Sequence, residues 1–243
     1  MSNSAINKVV DKLVDAASKP YRQAGKFEWH FARGKLGQDP VFEAILALDL
    51  LPQQGRVLDI GCGQGLLAAW LLSAQHQHAL GQWPSGWPPP PQVGQIHGIE
   101  LMPRDITRAQ QALQQYGVRS TFEVGNMCSA DFGSAEAVVL LDVLHYVDFQ
   151  GQDDVLKRVH ACLGKDGVLL LRVGDAAGGL PFKISNWVDH IVTMARRSHT
   201  PPLYCRTLDA WQEAIVSLGF SVRVIPMNKG TPFANFLLVC KKG

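Results

Sequence analysis

The sequence contains no apolar run approaching the roughly 18 residues that a membrane-crossing helix requires, and it contains no Cys-x-x-Cys pair. The first absence leaves no segment to read as a membrane span. Its five cysteines, Cys62, Cys128, Cys162, Cys205 and Cys240, are odd in number and widely spaced, so neither a disulfide framework nor a metal site is suggested. A reducing cytoplasm is the expected compartment. A surplus of charge is also missing: 23 Lys and Arg face 21 Asp and Glu, which gives no electrostatic reason to expect nucleic acid as a partner. Only local basic pairs such as Arg196-Arg197 stand out. The first 19 residues mix Asn, Lys and Asp among their apolar positions and lack the unbroken apolar centre of a secretion signal. What is present is a chain of 243 residues, 47% of them apolar, long enough to bury a substantial core.

Periodicity divides the chain into alternating elements. Ile6, Val9, Val10, Leu13, Val14 and Ala17 recur at helical spacing, which predicts a helix over residues 4–18 ended by Pro20. The aromatic and basic stretch that follows is predicted to be partly loop because it holds Gly25, Gly34 and Gly37. Asp39-Pro40 reads as an N-cap with proline at the first helical position, opening a helix over residues 41–51 that stops at Pro52. Strands are expected at residues 95–100, 121–124, 137–141 and 168–173, with helices from about 66 to 75, from Pro103, and over 153–163. Residues 164–167 read as a turn. Residues 81–95, with five prolines and three glycines, read as a surface insertion partly in polyproline II. Strands alternating with helices imply a mostly parallel sheet covered on both faces. Towards the end, a glycine-rich loop, a helix around residues 184–197 and Pro201-Pro202 interrupt the rhythm. A helix over 208–218 and two strands at 221–225 and 235–240, close enough to pair antiparallel, follow.

The organising stretch is residues 57–65, Val-Leu-Asp-Ile-Gly-Cys-Gly-Gln-Gly, followed at once by an apolar helical run. A strand, a glycine turn and a helix N-terminus serve two ligand classes, dinucleotides and S-adenosylmethionine. A dinucleotide site wants Gly-x-Gly-x-x-Gly, because the third glycine lets the helix pack close beneath the pyrophosphate. Here the glycines are Gly61, Gly63 and Gly65, and position 66 is leucine, which argues against that class.

With Asp59 two residues ahead, the run resembles the Asp-x-Gly-x-Gly-x-Gly signature of class I S-adenosylmethionine-dependent methyltransferases, a resemblance that extends in order from about residue 55 to 240. It implies a Rossmann-like, doubly wound, seven-stranded and mostly parallel α/β sheet with an antiparallel final strand and helices on both faces. It also implies S-adenosylmethionine as cofactor. Asp59, Gly61, Cys62 and Gly63 would lie along the methionine part of the cofactor, and Glu100, beside Leu101, would accept both ribose hydroxyls. A carboxylate has the two acceptor oxygens for that task. Asn126 stands where the family often has an acidic residue for the adenine amino group, with Met127 on the adenine face. Asp142, in Leu-Asp-Val-Leu-His-Tyr, is similar to the family's substrate-side motif. The chain lacks the Asn/Asp-Pro-Pro-aromatic run of enzymes that methylate exocyclic amino groups of nucleic acid bases.

A sulfonium methyl is already activated, so catalysis requires in-line placement, exclusion of water, and a base only where the acceptor must lose a proton. His145, Tyr146 and Arg172 are the candidates for those roles. His145 could equally pack against or cap a helix, and Arg172 could form a structural ion pair. Residues 1–54 are expected to form a helical cap on a domain spanning 55–243, with a substrate-side insertion at 174–206. Tyr21, Trp29, His30 and Arg33 in the cap suit a lid that shields the sulfonium and lines an acceptor pocket. A separable lid predicts that removing residues 1–38 leaves a folded protein with weakened cofactor affinity. The stretch from Phe31 to Phe42 is also similar to a methyltransferase subgroup of bacterial aryl-polyene and polyketide pigment pathways. That similarity implies an aromatic ring or its hydroxyl as acceptor, free or on a carrier protein. The alternatives left open are methylation of RNA or protein, and a non-catalytic cofactor-binding scaffold.

Overall fold

The computed structural model describes residues 3–177, 203–227 and 235–243. Seven strands, β1 Arg56–Ile60, β2 Gln95–Glu100, β3 Ser120–Val124, β4 Ala135–Leu141, β5 Leu163–Gly174, β6 Phe220–Pro226 and β7 Asn235–Lys242, form one sheet in the order β3-β2-β1-β4-β5-β7-β6. Pairing of β1 with β2 and of β2 with β3 is parallel, whereas β7 runs antiparallel to both β5 and β6. With flanking helices α1 Asn3–Ser18, α2 Lys26–Gln38, α3 Pro40–Ala47, α4 Leu66–Ala79, α5 Pro103–Leu113, α6 Phe149–Cys162 and α7 Leu208–Ser217, this is the expected Rossmann-like mixed sheet. No described helix is long and apolar enough to cross a membrane.

The chain divides into two compact units, one of residues 1–131 and 135–137, the other of residues 132–134 and 138–243. In the first, β1 is buried from Val57 onward, and α4 is buried along its whole first half because its opening residues are apolar on every side. Trp70, fully buried, donates its indole N–H to the carbonyl of Phe42 at 2.7 Å and meets that ring edge-on, joining α4 to α3. In the second unit, β5 is continuously buried from residue 167 to 173, and Trp211 of α7 is buried beneath the Arg206 guanidinium.

Several boundaries differ from expectation, each for a local reason. Gly34 and Gly37 do not break the chain: α2 continues through both because Glu28, Ala32 and Leu36 bury one face, which outweighs about 1 kcal/mol per glycine. Helix α3 ends at Ala47 rather than 51, since Asp49 enters the left-handed region at φ 51° and Leu50 bonds back to Ile45. Helix α4 runs on to Ala79. Asp148 caps α6 through the Gly151 N–H, starting it four residues before the expected position. Residues 164–166 belong to β5 as an exposed lead-in, with Asp166 at φ 62° and the register with β7 running from Val168 to Gly174.

Residues 80–94 carry neither helix nor strand, as their composition suggests, but they are not a loose surface loop. Pro84, Pro90, Pro91 and Val93 are buried, Trp83 donates to the Pro88 carbonyl at 2.9 Å, and Gln75 donates to the Pro91 carbonyl at 2.7 Å. The expected helix around residues 184–197, Arg196-Arg197 and Pro201-Pro202 lie outside the described residues.

Candidate functional site

In the first unit the glycine loop is held by backbone geometry that only glycine tolerates cheaply. Gly61, Gly63 and Gly65 adopt φ of 75°, 52° and 76°, where an L-residue would cost about 1–2 kcal/mol each. The N–H groups of Gly61 and Cys62 both reach the Ile99 carbonyl, at 2.8 and 3.2 Å, tying the loop to β2. A side chain on Gly65 would come within 2.9 Å of the Phe122 ring, and one on Gly98 within 2.6 Å of the Cys62 sulfur. Beside Gly63, in contrast, the direction a side chain would take is open for 4 Å. Bare backbone therefore faces open space at that one point.

Glu100, at the end of β2, is fixed by two backbone donors. Its Oε2 accepts from the Gly63 N–H at 3.1 Å and its Oε1 from the Met102 N–H at 3.0 Å. Each oxygen keeps a second lone pair for a hydroxyl donor. Asp59 is 5% exposed, and burial together with the Glu100 carboxylate pushes its carboxyl up to about 7. Cys62 is buried, and its thiol is raised by burial and then by Asp59, so it is a packing group held protonated rather than a nucleophile. Gly125 donates to the Glu100 carbonyl at 3.0 Å and brings Asn126 alongside. The Asn126 side-chain oxygen caps the Cys128 N–H at 3.0 Å, while Met127 is half-buried and Leu101 exposed.

Sequence reasoning did not foresee the partner that Tyr21 takes. Its side chain is completely buried, and its hydroxyl donates to the carbonyl of Gln64, inside the glycine loop, at 2.8 Å. Burial, then the neighbouring Cys62 and Asp59, hold its phenol well above the usual range. The Gln64 side chain is 3% exposed, and neither its amide nitrogen nor its amide oxygen has a hydrogen-bond partner among the described residues. Trp29 lies under the Arg22 guanidinium and beside the His30 ring, and Arg33 pairs with Asp15 of α1, contacts internal to the N-terminal helices. Glu28, buried, pairs with Arg108, which also binds Asp105 at 3.1 Å and so fastens α2 to α5.

In the second unit Asp142 follows β4 in the left-handed region at φ 58°. Buried Arg172 of β5 grips both of its carboxylate oxygens, with Nε at 2.9 Å from Oδ1 and a second contact to Oδ2. Two residues on, a single 3-10 turn, Leu144–Tyr146, carries His145 and Tyr146 with ring centroids 4.2 Å apart. Burial lowers the His145 pKa, and Asp142 partly opposes that shift. Gln152, fully buried, donates to the carbonyls of Leu144, Val147 and Tyr204 at 3.2, 2.9 and 2.8 Å and accepts from Arg206. The Tyr204 N–H reaches the His145 carbonyl at 2.9 Å. A signal for this hub exists in the sequence: Gln152 shares the inward stripe of α6 with Val155, Leu156 and Val159.

The site residues thus assemble as a glycine loop with Asp59, Glu100 and Tyr21 in one unit, and as Asp142, Arg172, His145 and Tyr146 in the other. A carboxylate braced by backbone N–H groups, beside a loop with open backbone, fits a ribose and the chain that leaves it. The family described as methyltransferase domain matches residues 29–222. Solved structures that share the fold include magnesium protoporphyrin IX methyltransferase from Synechocystis with bound S-adenosylhomocysteine, 18% identical over 90% of this chain with a TM-score of 0.60. Two more are an O-methyltransferase family protein from Burkholderia thailandensis, 18% identical over 91% of this chain (TM-score 0.61), and an O-methyltransferase of neocarzinostatin biosynthesis bound to S-adenosylmethionine and 2-hydroxy-5-methyl naphthoic acid, 20% identical over 94% (TM-score 0.58). The chain spans 88% of the first of these proteins, 62% of the second and 60% of the third. No curated protein matches the sequence. The family match covers most of the chain, which therefore belongs to the methyltransferase-domain family.

Proposed function

We propose that the chain methylates a small organic acceptor, an aromatic ring or its hydroxyl, free or on a carrier protein. The observation that carries the donor half is the Glu100 carboxylate, oriented by Gly63 and Met102 with lone pairs remaining for two ribose hydroxyls. Bound S-adenosylmethionine supplies an electrophilic methyl on a sulfonium, which leaves with its bonding pair retained on sulfur as the acceptor's electron pair forms the new bond. Residues 61–65 would lie along the methionyl chain, Asp59 beneath them, and Asn126, Met127 and Leu101 around the adenine.

On the acceptor side, His145 is the residue suited to take a hydroxyl proton. Burial keeps its ring neutral near pH 7, so a ring nitrogen can act as base. Tyr146 would orient the acceptor. Arg172 acts as a positioning residue, because its guanidinium is engaged by Asp142 rather than presented to a substrate. Two similar structures, a methyltransferase of magnesium protoporphyrin IX and one bound to a naphthoic acid, support a planar aromatic substrate by analogy. The test incubates the full chain with methyl-labelled S-adenosylmethionine and separate pools of hydroxylated aromatic acids, total RNA and total protein. Label should enter the aromatic pool. Label confined to RNA or protein would refute the proposal.

A further inference from the structure

We infer that Tyr21 is a positioning residue for the methyl donor: its hydroxyl holds the glycine loop on the path that leaves the Gly63 backbone open, and so couples the N-terminal helices to donor binding. The inference rests on the donor-site reading above and adds to it a residue that acts through the loop rather than on the ligand. The loop is poorly able to hold a path by itself. Gly61, Gly63 and Gly65 all lie at positive φ, a region that glycine enters and leaves at little cost, so neighbouring conformations are close in energy. Contacts from outside the loop must select one of them.

Those contacts come from two directions. Strand β2 holds the first half: the Ile99 carbonyl accepts from the Gly61 and Cys62 N–H groups at 2.8 and 3.2 Å, and Glu100 accepts from Gly63 at 3.1 Å. The second half is held from the N-terminal segment, where the Tyr21 hydroxyl donates to the Gln64 carbonyl at 2.8 Å, one residue before Gly65 opens α4. Tyr21 is itself fixed. It is completely buried, its own carbonyl accepts from Ala24 and Gly25 at 3.1 and 3.2 Å, and beyond it Gln23 accepts from Gln114 while Glu28 pairs with Arg108 of α5. A fixed strut against a permissive loop sets how much of the time the loop keeps the open path. Without the strut, donor affinity falls by the fraction of chains that leave that path. By linkage, a bound donor strengthens the docking of the N-terminal helices by the same factor.

The test uses the full chain with S-adenosylhomocysteine as the probe. Calorimetry well below the melting temperature compares wild type, Tyr21→Phe, which removes the hydroxyl and keeps the ring, and Tyr116→Phe, a control that removes a neighbouring hydroxyl. Tyr21→Phe should bind about tenfold more weakly, or ~1.4 kcal/mol, the size of one buried hydrogen bond, and Tyr116→Phe within twofold of wild type. Hydrogen exchange reads the reciprocal effect in wild type alone: the ligand should slow the amides of residues 19–38, and should do so less in Tyr21→Phe. A Tyr21→Phe chain that melts lower without ligand yet binds S-adenosylhomocysteine like wild type would overturn the inference, because the bond would then be structural alone. Equal losses in the two variants, or exchange over residues 19–38 that the ligand leaves unchanged in wild type, would overturn it as well. Wild type that does not bind S-adenosylhomocysteine would instead refute the donor-site reading, so the two failures are distinct.

Discussion

Asp59 is a residue at which ionisation bears on the stability of the fold. Burial and the Glu100 carboxylate lift its carboxyl to about 7, against roughly 3.9 in an unfolded chain. A carboxyl raised in the folded state favours folding in its protonated form. Its contribution is fully present below about pH 3.9 and is lost as the pH rises through about 7. His145 and His160, both lowered chiefly by burial, act in the other direction: their contribution is present above about pH 6.5 and fades as the pH falls. Asp59→Asn removes the first effect and leaves the second. Ligand-free Asp59→Asn should therefore gain melting temperature over wild type progressively from pH 5 to pH 8, read by calorimetry; a difference that stays constant over that range would mean the carboxyl is not raised. The acidic character of position 59 was legible in the sequence, but its proton was not, because that depends on how completely β1 is buried.

Among the elements, β2 was legible to the residue, Gln95–Glu100, because an apolar alternation ends on a carboxylate just before proline opens the next helix. The α2 helix was not, since its glycines read as breakers and the packing that overrides them is tertiary. That packing bears on how the N-terminal helices work. Leu13, Val14, Ala17, Tyr21, Ala32 and Leu36 are all buried, and at about 2 kcal/mol for each of the four larger side chains their loss is on the order of 8 kcal/mol, comparable with the whole stability of a domain at ~5–15 kcal/mol. Deleting residues 1–38 should thus abolish cooperative unfolding rather than leave a folded protein with weakened affinity. A truncated chain that melts sharply near the wild-type temperature would show that the helices are a removable lid. At the neighbouring element, Gly98→Ala should displace Cys62, whose sulfur stands 2.6 Å from the added carbon, and lower both stability and donor affinity in a thermal-shift titration. Donor affinity retained in Gly98→Ala would show that the loop tolerates the shift.

At the scale of the whole molecule, the sheet order and its antiparallel end follow from signals that a sequence carries well: alternation of strand and helix, and two late strands joined by a short loop. The geometry of the candidate donor site was legible for the same reason, since glycine spacing encodes backbone conformation directly and Glu100 ends a strand that periodicity defines. The candidate acceptor side was less so, because Tyr204 and Arg206 meet Gln152, which braces the His145 turn, across 52 and 54 residues of sequence, where no local pattern records them. Gln64 was hidden for a related reason: a glutamine in a glycine loop reads as surface until its burial is seen. The central claim is that Glu100 and the glycine loop bind the methyl donor, and titration calorimetry with S-adenosylhomocysteine tests it most directly on wild type and Glu100→Ala. The account predicts one site per chain in wild type and about 100-fold weaker binding in Glu100→Ala, from two lost charge-assisted hydrogen bonds of roughly 1.5 kcal/mol each. No binding to wild type, or equal affinity in the two proteins, would contradict it.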